Sequence, residues 1–157
     1  MSGQPSPLPA ATETSPVILL VEDEPNDALL AKRALEKSGV PCRVMHVADG
    51  EQAINYLSGQ PPYGDRGQYP APTLVLLDLK MPKVTGFDVL SWLHTRPELA
   101  SLPVVVLTGS IHERDRADAQ KLGAVGYEVK PVDFSALLGI VQGIGTRWLN
   151  RPGDGPS

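Results

Sequence analysis

The chain has 157 residues, with 14 Lys and Arg against 18 Asp and Glu, and its formal charge of -4 excludes a general nucleic-acid-binding surface. Aliphatic residues far outnumber the aromatics, the balance expected of a parallel sheet covered by helices. A single cysteine, Cys42, excludes an internal disulfide; no apolar run reaches the roughly 20 residues of a membrane helix, and no basic-then-apolar leader opens the chain, so a soluble cytoplasmic protein is expected.

Residues 1–15 are rich in Pro, Ser, Thr and Ala and read as a disordered tail, as do residues 151–157. Between them, residues 16–150 read as one domain in which strand and helix alternate five times. Residues 17–21 form an apolar strand. Acids at Asp23 to Asp27 then cap a helix that Pro25 starts, Ala28 to Leu35 make apolar, and Gly39 ends. Residues 43–47 are a weaker strand, since Val44 and Val47 only partly alternate. Asp49-Gly50 turns into a helix with Ala53, Ile54 and Leu57 on one face. Residues 60–72 form a loop rich in Pro, Gly and Tyr, longer than such a domain commonly uses. Residues 73–77 are the central strand and 86–95 the next helix. Residues 103–107 follow as a strand, 113–122 as a strongly polar helix, 124–129 as the fifth strand and 133–149 as the last helix. This alternation implies right-handed crossovers and a doubly wound parallel sheet with helices on both faces.

Four of the five apolar runs end on a residue that can do chemistry, and parallel strands present those ends at one edge, where open α/β folds bind ligands. Glu22 and Asp23 close the first run. Adjacent acids at a helix start also have a plain reading, favourable contact with the helix dipole, and Glu24 and Asp27 fit it. As a pair at a strand end, Glu22 and Asp23 suit Mg2+, a hard cation that prefers oxygen ligands. Asp78 ends Leu74-Val75-Leu76-Leu77, and Met81-Pro82 fixes the loop that leaves it. Alone it would be a turn or cap; beside a cation it can attack an activated phosphoryl group and form an acyl phosphate. Thr108 ends the fourth run and can donate to a phosphoryl oxygen, with Gly109 leaving access. Lys130, held extended by Pro131, supplies a point charge for phosphate.

The strings Leu20-Val21-Glu22-Asp23-Glu24, Leu76-Leu77-Asp78-Leu79-Lys80-Met81-Pro82 and Tyr127-Glu128-Val129-Lys130-Pro131 resemble those of a response-regulator receiver domain, over residues 16–150. The resemblance implies a flavodoxin-like, doubly wound five-stranded parallel sheet in the order 2-1-3-4-5 with five helices. It implies Asp78 as phosphoacceptor and Mg2+ as cofactor, held by Asp23, Asp78, the backbone carbonyl of Lys80, and Glu22 through water. Thr108 and Lys130 match the phosphate-contacting pair. Thr108 and Tyr127 match the switch, in which an aromatic rotation accompanies movement of the hydroxyl. Such a protein is not an enzyme beyond catalysing its own phosphorylation and dephosphorylation.

In the family, the positions occupied here by Lys80 and Ser110 tune water access to the acyl phosphate. The long Lys80 stem predicts a persistent phosphoryl group. Tyr63-Gly64-Asp65-Arg66 in the long loop and the terminal Trp148-Leu149 resemble stand-alone receivers paired with phytochrome kinases. A sensor histidine kinase, with a bacteriophytochrome as the kind this resemblance points to, is therefore the implied donor, with an unidentified downstream protein or phosphotransfer protein as the output. The surplus of apolar faces on the last helix, together with Gly139 and Gly143, predicts a homodimer through the fourth and fifth helices and the fifth strand. A metal-dependent phosphohydrolase with an Asp nucleophile is the competing reading, and it lacks a second acid two residues after Asp78. A phosphate sink for a kinase is a variant of the receiver reading. A flavin protein is opposed by acids where a phosphate cradle would be needed.

Overall fold

The computed structural model describes residues 15–149; the expected tails, apart from Ser15, and Asn150 at the end of the expected domain lie outside the described residues. Five parallel strands form one sheet in the order β2-β1-β3-β4-β5. They are β1 (Val17–Val21), β2 (Arg43–Val47), β3 (Leu74–Leu77), β4 (Val104–Thr108) and β5 (Gly126–Val129). Every residue of β1, β3 and β4 is buried, which is why these three read as unbroken apolar runs. β2 and β5 are edge strands and carry the half-exposed residues that blurred the pattern of β2.

Five helices connect the strands: α1 (Pro25–Lys37), α2 (Gly50–Ser58), α3 (Gly86–His94), α4 (Glu113–Lys121) and α5 (Phe134–Trp148). Side chains alternate across each strand, so Ile18, Leu20, Leu74, Leu76, Val105 and Leu107 pack under α1 and α5. Leu19, Val21, Val75, Leu77 and Val106 face the other way and pack under α2, α3 and α4. In α5, Leu137, Val141 and Ile144 are buried in the first of these cores, and Phe134, Leu138 and Trp148 lean on it. The apolar residues of this helix are thus largely absorbed within the fold.

Some boundaries differ from the sequence reading, each for a local reason. β4 starts at Val104, since Pro103 has no N–H to give the ladder and contributes only its carbonyl, to Val75 N at 3.0 Å. The strand then runs one residue further, through Thr108. β5 begins at Gly126, after Ala124 and Val125 have carried the chain in from α4. A short 3-10 turn at Pro97–Leu99 gave no periodic signal, being only three residues long. The long 60–72 loop is closed down onto α2 by aromatics: Tyr63 and Tyr69 of the loop meet each other and Tyr56 of α2 at ring centroid distances of 5.1 to 6.0 Å, and Tyr56 donates to Pro70 O at 2.7 Å.

Glycine has opposite meanings at two places. At Gly86, the start of α3, an added Cβ would run into the carbonyl oxygen of Asp78 and sit 2.7 Å from Leu79 Cα. The chain after β3 therefore closes on itself only because residue 86 lacks a side chain, and Gly86 N seals the closure by donating to Leu79 O at 3.0 Å. In α5, Gly145 packs against Val40, whereas Gly139 and Gly143 have open space where a Cβ would stand. Gly86→Ala is expected to lose about 1–3 kcal/mol by backbone overpacking. Gly143→Ala is expected to gain up to about 1 kcal/mol by relieving helix entropy. Urea unfolding of both variants checks the pair, and equal midpoints would contradict it.

Candidate functional site

The site is assembled at the C-terminal edge of the sheet, from the ends of β1, β3, β4 and β5. Glu22 continues the line of β1, its N–H donating to Val47 O at 3.1 Å and its carbonyl accepting from His46 Nε2 at 2.9 Å. Its carboxylate, only 3% exposed, accepts from Glu24 N through Oε2 at 3.1 Å. Asp78 continues β3 in the same way, with its N–H on Val21 O at 3.1 Å, and is also buried. The neighbouring strands thus hold these two carboxylates side by side. Asp23 lies nearer solvent, and one oxygen each from Glu22, Asp23 and Asp78 all fall within 4.8 Å of one another.

Lys130 reaches this cluster from the end of β5. Its N–H donates to Thr108 O at 2.7 Å, which fixes the start of the side chain. Its ammonium stands 2.5 Å from Glu22 Oε1, 2.9 Å from Asp27 Oδ2 and 3.4 Å from Asp78 Oδ2. Burial disfavours this ammonium, yet hydrogen bonds to Glu22 and Asp27 and the charges of Asp78 and Glu22 more than reverse that, raising its pKa above the ordinary lysine value. Glu22 moves the other way from an ordinary paired acid. Burial is the largest cause; with the charge of Asp78 it outweighs the contacts from Lys130 and Glu24 N, and its pKa is pushed up to about 7. Three carboxyl groups (Glu22, Asp27 and Asp78) share one ammonium and Asp23 adds a fourth acid beside them, so the ionised cluster is deficient in positive charge. A set of carboxylate oxygens converging this closely is the donor set that a hard divalent cation takes, and Mg2+ fits it.

Thr108 is fully buried at the end of β4, with its Oγ1 accepting from Ser110 N at 3.4 Å. Tyr127 is buried on β5 rather than half-exposed at the edge; its hydroxyl donates to Ser110 O at 3.1 Å, and the Arg116 guanidinium lies 4.8 Å from the centre of its ring. Lys80 donates from its backbone N–H to Asp78 Oδ1 at 3.4 Å, and its side chain runs to Asp115 Oδ2 at 3.0 Å. Between Asp78 and α3, Lys83 adopts the left-handed region at φ 63°, a strain of about 1–2 kcal/mol for a residue with a Cβ. The carbonyl of the next residue, Val84, occupies the place a Cβ on Gly50 would take, locking this loop against the start of α2.

All the residues singled out in the sequence, namely Glu22, Asp23, Asp78, Lys80, Thr108, Tyr127 and Lys130, therefore lie at or directly behind this edge. Two others were missed. Asp27 read as a helix-start acid, yet it is a partner of Lys130; its place in the first turn of α1, directly after the acids that end β1, was the available signal. Asp115 lies in the first turn of α4 and meets two site loops, which nothing in its sequence surroundings indicates.

The family described as the response regulator receiver domain matches residues 18–142. The probable methanogenesis regulatory protein FilR2 of Methanothrix harundinacea is 38% identical over 133 residues, covering 85% of this chain and 83% of that protein. The response regulator Rcp1 of Synechocystis is also 38% identical over 133 residues, covering 85% of this chain and 88% of its own length. The crystal structure of Mn2+-bound Rcp1 matches with a TM-score of 0.76 at 37% identity, over 85% of this chain and 94% of that one. The crystal structure of the phosphorylated cyanobacterial phytochrome response regulator RcpA matches with a TM-score of 0.79 at 39% identity, over 87% of this chain and 95% of that one.

The raised pKa of Glu22 has a measurable sign. Unfolded, the group titrates near 4.5; folded, near 7, so the native state holds an extra proton between those values. The stability this provides is complete below the lower value and is lost as pH rises through the upper one. Metal-free protein is expected to lose urea resistance from this group between about pH 5 and pH 8, and Glu22→Gln to flatten that slope. An unchanged slope in Glu22→Gln would contradict the burial argument.

Proposed function

The chain belongs to the response regulator receiver domain family, and from that premise we propose that it accepts a phosphoryl group on Asp78 from a sensor histidine kinase. The observation that carries this reading is the setting of the Asp78 carboxylate. It is held at a strand end by backbone hydrogen bonding, one oxygen stands within 3.4 Å of the Lys130 ammonium, and its neighbours Glu22 and Asp23 complete an acidic cluster.

In this reading each residue acts through what it touches. Asp78 is the nucleophile: one carboxylate oxygen attacks the phosphorus as the bond to the donor nitrogen breaks. Asp23, Asp78 and the carbonyl of Lys80 would hold Mg2+, with Glu22 contributing through water. The bound cation supplies charge neutralisation for an attack that would otherwise bring two anions together. Lys130 and Thr108 contact the phosphoryl oxygens. Lys130 must loosen its hold on Glu22 and Asp27 to do so, and Thr108 must turn its hydroxyl away from Ser110 N. That second movement reaches Tyr127, whose hydroxyl rests on the carbonyl of the same serine. The switch therefore passes from the site to the surface formed by α4, β5 and α5.

Likeness to RcpA, a phytochrome response regulator, supports a phytochrome-type histidine kinase as the donor. A downstream protein, or a phosphotransfer protein, would read the α4–β5–α5 face. A homodimer through the same face would engage, on its β5 and α5 side, the groove of about 400 Å³ lined by Gly126, Glu128, Gly139 and Gly143. No helix among the described residues is long and apolar enough to cross a membrane.

Acetyl phosphate with Mg2+ is expected to add the mass of one phosphoryl group to the wild-type chain, and Asp78→Asn is expected to remain unmodified under the same conditions. Modification that survives in Asp78→Asn, or its absence in the wild type, would contradict the assignment.

A further inference from the structure

Resting on the reading of Asp78 as phosphoacceptor, we infer that Asp115 is a positioning residue: it ties Lys80 and Ser110 to one carboxylate oxygen, closing a strap across the mouth of the site that sets how long the phosphoryl group persists.

β3 and β4 are neighbours in the sheet, so the loops that leave them flank the opening above Asp78 and Thr108. Lys80 stands two residues after Asp78, and Ser110 two after Thr108. The backbone N–H of each is already on the side chain of its site residue: Lys80 N on Asp78 Oδ1 and Ser110 N on Thr108 Oγ1, both at 3.4 Å. Their side chains then meet on Asp115 Oδ2, the Lys80 ammonium at 3.0 Å and the Ser110 hydroxyl at 2.6 Å. The lysine stem thus crosses from the β3 loop to the first turn of α4, and its ammonium also lies 5.7 Å from the centre of the Phe87 ring. Ser110 Oγ further accepts from His112 N at 3.3 Å, and Ser110 O accepts from Tyr127. One carboxylate therefore joins the acceptor loop, the β4–α4 loop and, through Ser110, the β5 tyrosine.

An exposed lysine paired with a surface acid contributes little by Coulomb attraction alone, and Lys80 has 57% of its side chain exposed. Asp115 differs from an ordinary surface partner because the short, charge-assisted bond from Ser110 fixes its carboxylate before the lysine arrives. The Ser110 hydrogen bond first, then the Lys80 ammonium, hold its carboxyl below the usual range. The lysine is therefore offered a preset anchor, and the stem is kept over the opening. Loss of the phosphoryl group requires water to form a new P–O bond while the bond to the Asp78 oxygen breaks. The electron pair returns to the carboxylate, a proton passes from the water to solvent, and inorganic phosphate leaves. A stem fixed across the entrance obstructs that water, and a free one does not.

The decay of phosphorylated protein, after removal of acetyl phosphate and in constant Mg2+, tests the inference in wild type, Lys80→Ala, Asp115→Ala and the double variant. Each single variant is expected to decay about three to ten times faster, the factor that one lost ion pair with its charge-assisted bond supplies. The double variant should decay no faster than the quicker single one, because both changes cut the same strap. Asp115→Asn, which keeps an acceptor for Ser110 without the charge, should fall between wild type and Asp115→Ala. Hydrogen exchange of the His112 amide in unphosphorylated protein gives a second reading: Lys80→Ala should accelerate it, although Lys80 does not touch that amide. Normal loading with unaltered decay in Asp115→Ala, multiplying effects in the double variant, or unmoved exchange at His112 would overturn the strap alone. A wild-type chain that takes no phosphoryl group would overturn the reading of Asp78 and the lifetime role with it.

Discussion

A single ammonium facing three carboxylates organises the working edge of this protein. Lys130 is in reach of Glu22, Asp27 and Asp78, with Asp23 completing the acidic side. Burying so many like charges would disrupt the strand ends if nothing opposed them. The fold tolerates the arrangement because β1 and β3, which lead into Glu22, Asp23 and Asp78, are paired on both sides, and β5, which leads into Lys130, is paired to β4. Lys130 neutralises part of the cluster and Glu22 takes up a proton readily. The remaining deficit is what the proposed divalent cation would offset. In the proposed reading, stability and function draw on the same charges in opposite senses: the protonated Glu22 suits the metal-free fold, and the ionised form would suit the cation.

Much of this was legible in the residues because buried parallel strands announce themselves and their ends are fixed in space by the sheet. Once residues 17–21, 73–77, 103–107 and 124–129 read as strands, Glu22, Asp23, Asp78, Thr108 and Lys130 had to open on one edge. What escaped the reading depends on which partner a surface charge selects. Asp27 has the composition of a helix cap and Asp115 that of a solvated helix face. Only folding shows that one meets Lys130 from across the sheet and the other meets Lys80 and Ser110. The glycines of α5 show the same limit: the sequence reading singled out Gly139 and Gly143, yet Gly145 is the one pressed against a neighbour, Val40.

The network around Ser110 gives the proposed signal a physical route. Its amide meets Thr108, its hydroxyl meets Asp115, and its carbonyl meets Tyr127, so a shift of the β4–α4 loop reaches all three at once. Arg116 stacks on Tyr127 from the same first turn of α4 that carries Asp115. Chemistry at Asp78 and the shape of the α4–β5–α5 face are thereby linked through residues in direct contact. The close approach at Gly86 and the left-handed Lys83 constrain the other side of the acceptor, which would direct the proposed response toward β4 and β5.

Titration of the purified chain with Mg2+ or Mn2+, followed by calorimetry, tests most directly whether the acidic edge is a cation site. One ion is expected to bind per chain, with Asp23→Asn and Asp78→Asn each weakening it by about tenfold or more, in keeping with the cost of disturbing a metal's ligands. Affinity that is the same in both variants as in the wild type would contradict the account.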